Sequence, residues 1–553
     1  MGIYSERKIG AWSGWLIIIF SFMLIYLPWL SPERELFRGE GLYAAEAMEF
    51  DFASPVVTAH QVAITDGYPL FPAAAALLSR DCGIPMETVL RGISVVMFAA
   101  TAILVFFAAA SERSRVAGFA AMAMYISSGL TIEKVIDGDP TTSGAFFLAA
   151  AQLLFFNYGI RRADWNRAWI ISALLAALGF LSCGFKPILC FVVPMFFFRR
   201  PLSVKSKFRK PGFIAALVIG GMAIGCWLFS YTAVAQRLPL DYPELPSIPE
   251  YLREICQFPL LLIFRLLPWS LIAWLPFCVA LQALDTTPIL SRYLRTLTIS
   301  TLALLWLLPN TDSRESLYLL APLSILFGIN YELGMRRYGG RFRRLLRLGE
   351  YFALLTAVGI VVACFAPPEW LSTFFSIDNT LDFRNIPAYR LAAGAALVLV
   401  LATAFFLHRA RESFPVWMLF LACGFTAGIF AATVLLPYRA QEQEKRRLGN
   451  DIRQALAGEN TVRLYKSEIT DLYGGLYYSG VPVVKLQSLS ELPRQEEVVY
   501  LINTDFPQHP ERSWSNLFPA DYTYNRRRLA LWKGVIRPAE KNSGSQPESL
   551  RKE

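Results

Sequence analysis

The chain has 553 residues, of which 55% are hydrophobic and only 17% charged, with a formal net charge of +10. Soluble chains carry about a quarter charged residues, and the mean hydropathy of +0.40 points the same way, so a string of soluble globular domains is excluded. Nucleic-acid binding is not indicated either, because Lys and Arg fall in short clusters between apolar runs, where they act as topology signals.

A hydrocarbon core takes roughly 20 apolar residues per crossing helix. On that rule, spans are expected to begin near Trp12, Glu87, Ala117, Thr142, Ala168, Lys186, Gly212, Phe258, Leu297, Leu317, Tyr351, Leu391 and Phe414. That makes about 13 transmembrane helices. The first follows Arg7 and Lys8 and lacks a small-residue cleavage site, so it reads as a retained span rather than a signal peptide. The stretch from Ala168 to Phe198 is split at Ser182-Cys183-Gly184, so at least one of its two spans is short or broken. Basic residues alternate between loops: Arg113 and Arg115, Arg161 to Arg167, Arg199 to Lys210, Arg292 and Arg295, Arg336 to Arg347, and Arg409 and Arg411. With Arg7 and Lys8 these hold roughly 23 basic residues, against about 10 in the longer loops of opposite parity. The amino terminus is therefore expected in the cytoplasm, and an odd number of spans puts the carboxyl terminus outside.

After about Pro437 the composition becomes polar. Gln441 to Leu456 reads as a polar helix, followed by strand-like runs at Thr461 to Tyr465, Val481 to Leu486, Val498 to Ile502 and Leu529 to Trp532. The expected organisation is a membrane domain over 1–437, a small α/β domain over 438–537 outside the membrane, and a disordered tail over 538–553. The eight cysteines show no CxxC spacing, and His60, His408 and His509 are scattered, so neither a disulfide framework nor a metal cluster is indicated.

Three outer segments carry polar residues that chemistry could use. In the first outer loop, Ser31 to about Pro85, the stretch from Arg38 to Phe50 places Leu42, Ala45 and Met48 at helical spacing, as in a helix lying on the membrane surface. Glu40 would sit at its amino-terminal end, as a cap favoured by the helix dipole or as a functional acid. The segment Glu133 to Pro140 puts Asp139 just before a helix that opens on Pro140. Asp139 is then either a plain N-cap or, beside Glu40 and Asp137, a proton acceptor. In Pro309 to Pro322, Arg314 lies on the face where positive charge is scarce. It either snorkels to lipid or grips one phosphate with two N–H groups, and Lys186 invites the same two readings. Carboxylates that activate an acceptor, beside cations that stabilise a departing phosphate, would form a group-transfer site. No Gly-rich nucleotide loop is present, so an activated substrate on this face would be lipid-borne. A transporter is the alternative, but transporters keep their charges near the midplane and show internal repeats, which this sequence lacks.

Several motifs share this face and follow one another in a recognisable order: Gly39-Glu40-Gly41-Leu42-Tyr43-Ala44, then Thr65-Asp66-Gly67-Tyr68-Pro69-Leu70, Asp139, and Ser182-Cys183-Gly184-Phe185-Lys186-Pro187. Leu267-Pro268-Trp269-Ser270 and the run from Ser313-Arg314 through Tyr318 to Pro322 complete the set. By these motifs the chain resembles the GT-C membrane glycosyltransferases that use polyprenyl-phosphate sugars. The branch it resembles holds protein O-mannosyltransferases and 4-amino-4-deoxy-L-arabinose lipid A transferases. The resemblance implies an α-helical polytopic GT-C fold in a bacterial inner membrane, with a small periplasmic α/β carboxyl-terminal domain. It implies inverting transfer of a sugar from a polyprenyl-phosphate donor to a lipid, glycan or protein acceptor. Glu40 or Asp139 would orient or deprotonate the acceptor. Arg314, with Lys186 and Arg38, would bind the donor phosphate. Asp66, Asp137, Tyr43 and Tyr318 would line the sugar and acceptor pocket, the two tyrosines alternatively serving as packing. No cofactor is required, and a divalent metal is compatible but not indicated. Two positions depart from the family pattern. Gly39 stands where the family's acidic pair begins with Asp, and Gly67 stands at a family Lys. Either Glu40 or Asp139 supplies the base and Lys186 restores a positive charge, or the chain is a catalytically inactive relative or one that works on a different substrate.

Overall fold

The structure, a computed structural model, describes residues 10–37, 39–54, 56–199, 202–235, 246–365, 387–410, 414–436, 443–457, 463–467, 472–486, 488–493, 496–504, 506–507, 512–524 and 527–536. The charge signals at Arg7, Lys8 and Arg411, the candidate Arg38 and the tail over 538–553 lie outside the described residues. The chain divides into two compact units, Met1–Ala59 with Ala63–Gln443, and His60–Val62 with Glu444–Glu553.

The first unit is helical. In chain order its helices are α1 (Ala11–Tyr26), α2 (Glu40–Glu49), α3 (Leu70–Arg80), α4 (Met86–Glu112), α5 (Arg115–Ser127), α6 (Gly129–Lys134) and α7 (Thr141–Phe155). There follow α8 (Trp165–Cys183), α9 (Phe185–Phe197), α10 (Pro211–Ala235), α11 (Ile248–Arg265), α12 (Val279–Gln282), α13 (Pro288–Leu307), α14 (Leu317–Phe365), α15 (Pro387–Ala410) and α16 (Val416–Phe430). Local chemistry sets several of the ends. The Ser114 hydroxyl accepts the Ala117 N–H at the start of α5, and the Asp164 carboxylate accepts the Arg167 N–H at the start of α8. Gly184, at φ +85°, separates α8 from α9 in a conformation that favours glycine.

Among the described residues, eight helices are long and apolar enough to cross a membrane, or nine if the pair Ile248–Arg265 and Trp269–Phe277, bent by 101°, is one span. The expected count was higher in part because apolar runs do not mark every break in the backbone. The run from Ala117 is divided where Ser128 becomes extended between α5 and α6. Helix α9 has 13 residues with Pro194 inside it. Helix α14 turns back on itself. From Phe327 to Tyr331 its neighbours on α16 run backwards: Phe327 shares the Trp269 ring with Phe420, whereas the Tyr331 hydroxyl accepts the Trp417 N–H at 3.0 Å. Beyond the turn they run forwards, since a Cβ on Gly349 would meet Cys423 and one on Gly359 would meet Phe430. The reversal falls on the basic run from Arg336 to Arg347, so the spans expected near Leu317 and Tyr351 are the two arms of α14.

Lipid offers helices no hydrophobic drive to associate, so close backbone approach and hydrogen bonds must hold the bundle together. Helix α5 is the focus of both. A Cβ on Gly328 would lie 2.5 Å from the Ala117 carbonyl oxygen, and one on Gly424 2.5 Å from that of Ser127. The Leu267–Ser270 motif ties this centre to the polar end, because Trp269 Nε1 donates to Ser127 Oγ at 2.9 Å and the Leu267 carbonyl accepts the Gly129 N–H at 2.8 Å.

The second unit is a five-stranded sheet with helices α17 (Glu444–Ala455) and α18 (Tyr473–Ser479). Its strands are β1 (Leu464–Lys466), β2 (Val483–Lys485), β3 (Val498–Asn503), β4 (Arg512–Asn516) and β5 (Ala530–Ile536), in the order β2-β1-β3-β5-β4. The first three are mutually parallel, and β5 runs antiparallel to both β3 and β4. Period-two alternation divides the side chains between faces. Leu464, Tyr500 and Ile502 join Leu448, Ile452 and Leu476 of the helices in one core, whereas Tyr465, Val499 and Leu501 pack on the other side. Strand β4, with Arg512 at its start, carries no apolar alternation and was not expected.

Candidate active site

Three connections of the helical unit meet at one site: the segment leading into α2, the link between α6 and α7, and the link between α13 and α14. Their shared feature is an interlocked set of buried acids and arginines.

Glu40, 2% exposed, lies at the first turn of α2 and receives both arms of Arg91 from α4, Nε on Oε1 at 3.0 Å and Nη2 on Oε2 at 2.8 Å. The Gly138 N–H donates to Oε1 at 2.8 Å and the Phe37 N–H to Oε2 at 2.7 Å. Burial alone would push this carboxyl up, but the guanidinium groups of Arg91 and Arg34 outweigh it and hold the group down at about 2. Of the two acids expected to orient or deprotonate the acceptor, Glu40 is the one whose carboxylate is occupied by four donors, and it fastens the first outer loop to the α6–α7 link. Arg91 extends the brace to the carbonyls of Ser31, Arg34 and Glu35.

Asp139 is differently placed. It is 3% exposed, and Ser94 fixes its backbone on both sides, accepting the Asp139 N–H at 3.0 Å and donating to its carbonyl at 3.1 Å. Oδ1 accepts the Thr141 N–H at 2.8 Å, a local turn contact two residues on; the N-cap position of α7 is Pro140, not Asp139 as expected. Oδ2 faces Nη1 of Arg314 in direct contact and receives the Tyr43 hydroxyl at 3.4 Å. Arg314, 9% exposed, reaches Asp137 with Nη2 at 3.4 Å. The other oxygen of Asp137 binds Arg34 at 2.7 Å. Asp312 steadies the Arg314 backbone, accepting its N–H at 3.2 Å.

The remaining candidates divide. Lys186 pairs with Glu315, the neighbour of Arg314, while the Tyr318 hydroxyl lies 3.3 Å from Cys183 Sγ. Both therefore stand beside the Arg314 cluster rather than within it. Asp66 is exposed in the turn before α3 and forms no hydrogen bond or ion pair among the described residues. Tyr68, two residues on, stacks on Trp227 at 5.3 Å. Among the described residues no group of His, Cys, Asp or Glu side chains suits a metal ion.

Arg34, Arg91 and Glu46 are buried here and escaped the sequence reading. Arg34 and Arg91 bind Asp137 and Glu40. The usable signal for Arg91 was an arginine one turn inside the apolar run from Glu87, which is costly unless paired. Glu46, 3% exposed on α2, has no hydrogen bond or ion pair among the described residues, and burial pushes its carboxyl up to about 8. Tyr43, one turn earlier, is held neutral well above the usual phenol range by burial and by the charges of Asp139 and Glu46.

No family model matches the chain, and no curated protein does. Among solved structures it is similar to ArnT from Cupriavidus metallidurans in the apo state, with a TM-score of 0.68 and 16% identity over 95% of this chain and 98% of that one. The same protein bound to undecaprenyl phosphate aligns with a TM-score of 0.61 and 15% identity over 94% of this chain and 98% of that one. At such identity the likeness is one of architecture, and it runs the length of both chains: this protein has the GT-C fold.

Proposed function

We propose that the protein is an inner-membrane glycosyltransferase that moves a sugar from a polyprenyl-phosphate donor to a lipid, glycan or protein acceptor on the non-cytoplasmic face. The observation that supports this reading most is the meeting of Asp139, Asp137, Tyr43 and Arg314 from three separate connections on a GT-C fold. ArnT of the same fold is known with undecaprenyl phosphate bound.

In this reading Arg314 grips the donor phosphate with two N–H groups, the geometry in which arginine binds phosphate best. Doing so draws its guanidinium away from Asp139. The freed Oδ2 then accepts the proton of the acceptor hydroxyl as that oxygen attacks the anomeric carbon. The bond from that carbon to the phosphate oxygen breaks, the configuration inverts, and polyprenyl phosphate leaves against Arg314, with Lys186 as a neighbouring positive charge. Asp137, itself held by Arg34, keeps Arg314 anchored at the site as it turns to the phosphate, and the Glu40–Arg91 pair holds the loop.

The test is sugar transfer by purified protein from a polyprenyl-phosphate donor. Arg314→Ala and Asp139→Ala should each lose about a hundredfold or more in rate while remaining folded. Full activity in both variants would remove these assignments. A second reading rests on one observation: Gly39 lacks the acid with which the family pattern begins, and Glu40 is fully engaged by its donors. In that reading the protein binds a polyprenyl phosphate without turning it over, and saturable donor binding with no transfer to any acceptor would favour it.

A further inference from the structure

The second unit carries a cluster of positive charge that the proposed transfer does not use. Lys466 ends β1 and Lys485 ends β2, both at the carboxyl ends of parallel strands. Strand β1 lies between β2 on one side and β3 on the other, so the chain changes direction across the sheet at β1. In open α/β sheets, ligands bind outside the carboxyl ends of the strands at such a point.

The side chains there are unusual. Lys466 is 1% exposed, yet its ammonium has no hydrogen bond or ion pair among the described residues, and lies 3.6 Å from the centre of the Tyr473 ring. His60 is 4% exposed, stacks on the same ring at 4.7 Å, and leaves Nδ1 without a hydrogen-bond partner. Its carbonyl accepts the Lys485 N–H at 3.0 Å, which holds His60 to the end of β2. Among the described residues, the charges acting on Lys466 and His60 are lysines, with no carboxylate among them. Burial, reinforced by Lys485, brings the Lys466 ammonium down to about 7. A buried ammonium without an acceptor is costly, and an anion would supply what the described residues do not. Lysine ammoniums act as point charges and suit phosphate, whereas a planar carboxylate is better served by arginine.

We propose that Lys466, Lys485 and His60 form a binding site for a dianionic phosphate group at the carboxyl ends of β1 and β2. It is separate from the Arg314 cluster and does not depend on the transferase reading. The phosphate belongs either to a free phosphate ester or to a lipid headgroup of the phosphomonoester type.

The test uses full-length purified protein carrying Arg314→Ala, so that phosphate binding at the other cluster does not contribute. Inorganic phosphate is titrated by calorimetry, and short-chain phosphatidate is followed by native mass spectrometry. Saturable binding of at least one probe is expected, weakened about tenfold or more by Lys485→Gln and by Lys466→Met. Lys485 is only half-buried at a strand end, so its variant keeps the test valid if loss of Lys466 prevents folding. Binding of inorganic phosphate without phosphatidate identifies the free ester as the source, and binding of phosphatidate, with or without inorganic phosphate, identifies the headgroup. Binding of neither probe, or binding unchanged in a folded Lys485→Gln variant, overturns the site.

Discussion

Two carboxylates at one site have opposite fates because their donors differ. Glu40 accepts from Arg91 and two backbone N–H groups and is committed to holding the loop. Asp139 keeps one oxygen in contact with two side chains, Arg314 and Tyr43. Removing one partner of a fully buried pair leaves the other charge uncompensated, so Arg91→Met should cost about 3–5 kcal/mol. Thermal unfolding in detergent measures this, and adding Glu40→Met to Arg91→Met should recover much of the loss. Glu46 tests burial itself. Its carboxyl ionises from about 4.5 in the unfolded chain but only near 8 in the folded one. The folded state therefore holds a proton that the unfolded state has released, and stability falls as pH rises between those values. Glu46→Gln should flatten the pH dependence of the unfolding midpoint over that window. An unchanged profile would mean that the group is ionised when folded.

At the scale of elements, helix α5 is held by close approach rather than by charge. Gly328 and Gly424 let two neighbouring helices touch its backbone carbonyls. A methyl group at either position must displace backbone, so Gly424→Ala should destabilise by about 1–3 kcal/mol. A control such as Gly220→Ala, where a Cβ meets nothing within 4 Å, should not destabilise. Equal midpoints for the two variants would show that the helices have room to separate. Apolar runs in the sequence announced most of these helices, because a lipid-facing helix needs no partner to be recognised. They announced the break at Gly184 but not the others: Ser128 interrupts an apolar stretch whose composition does not change, and α14 reverses within one continuous helical run.

For the whole molecule, the GT-C architecture was legible because its motifs occupy one face in a fixed order, and the structure brings Asp139, Asp137, Tyr43 and Arg314 together. Which acid is free was not legible. Glu40 and Asp139 look alike in sequence, and their difference depends on Arg91, Gly138 and Phe37, which are distant in sequence or supply only backbone. Asp66, placed at the site by motif order, is exposed in the structure and joins none of these groups. The β1–β2 cation cluster was equally hidden, because only parallel pairing of the two strands places Lys466 and Lys485 at the same strand ends.

The central claim is that Arg314 holds Asp139 until a donor phosphate replaces it. Donor binding and sugar transfer measured side by side in Asp139→Asn test it most directly. Asp139→Asn should bind a polyprenyl-phosphate sugar at least as tightly as the parent protein, since the competing carboxylate is gone, and should transfer almost none of it. Transfer at the parental rate, or a marked loss of donor binding in this variant, would contradict the account.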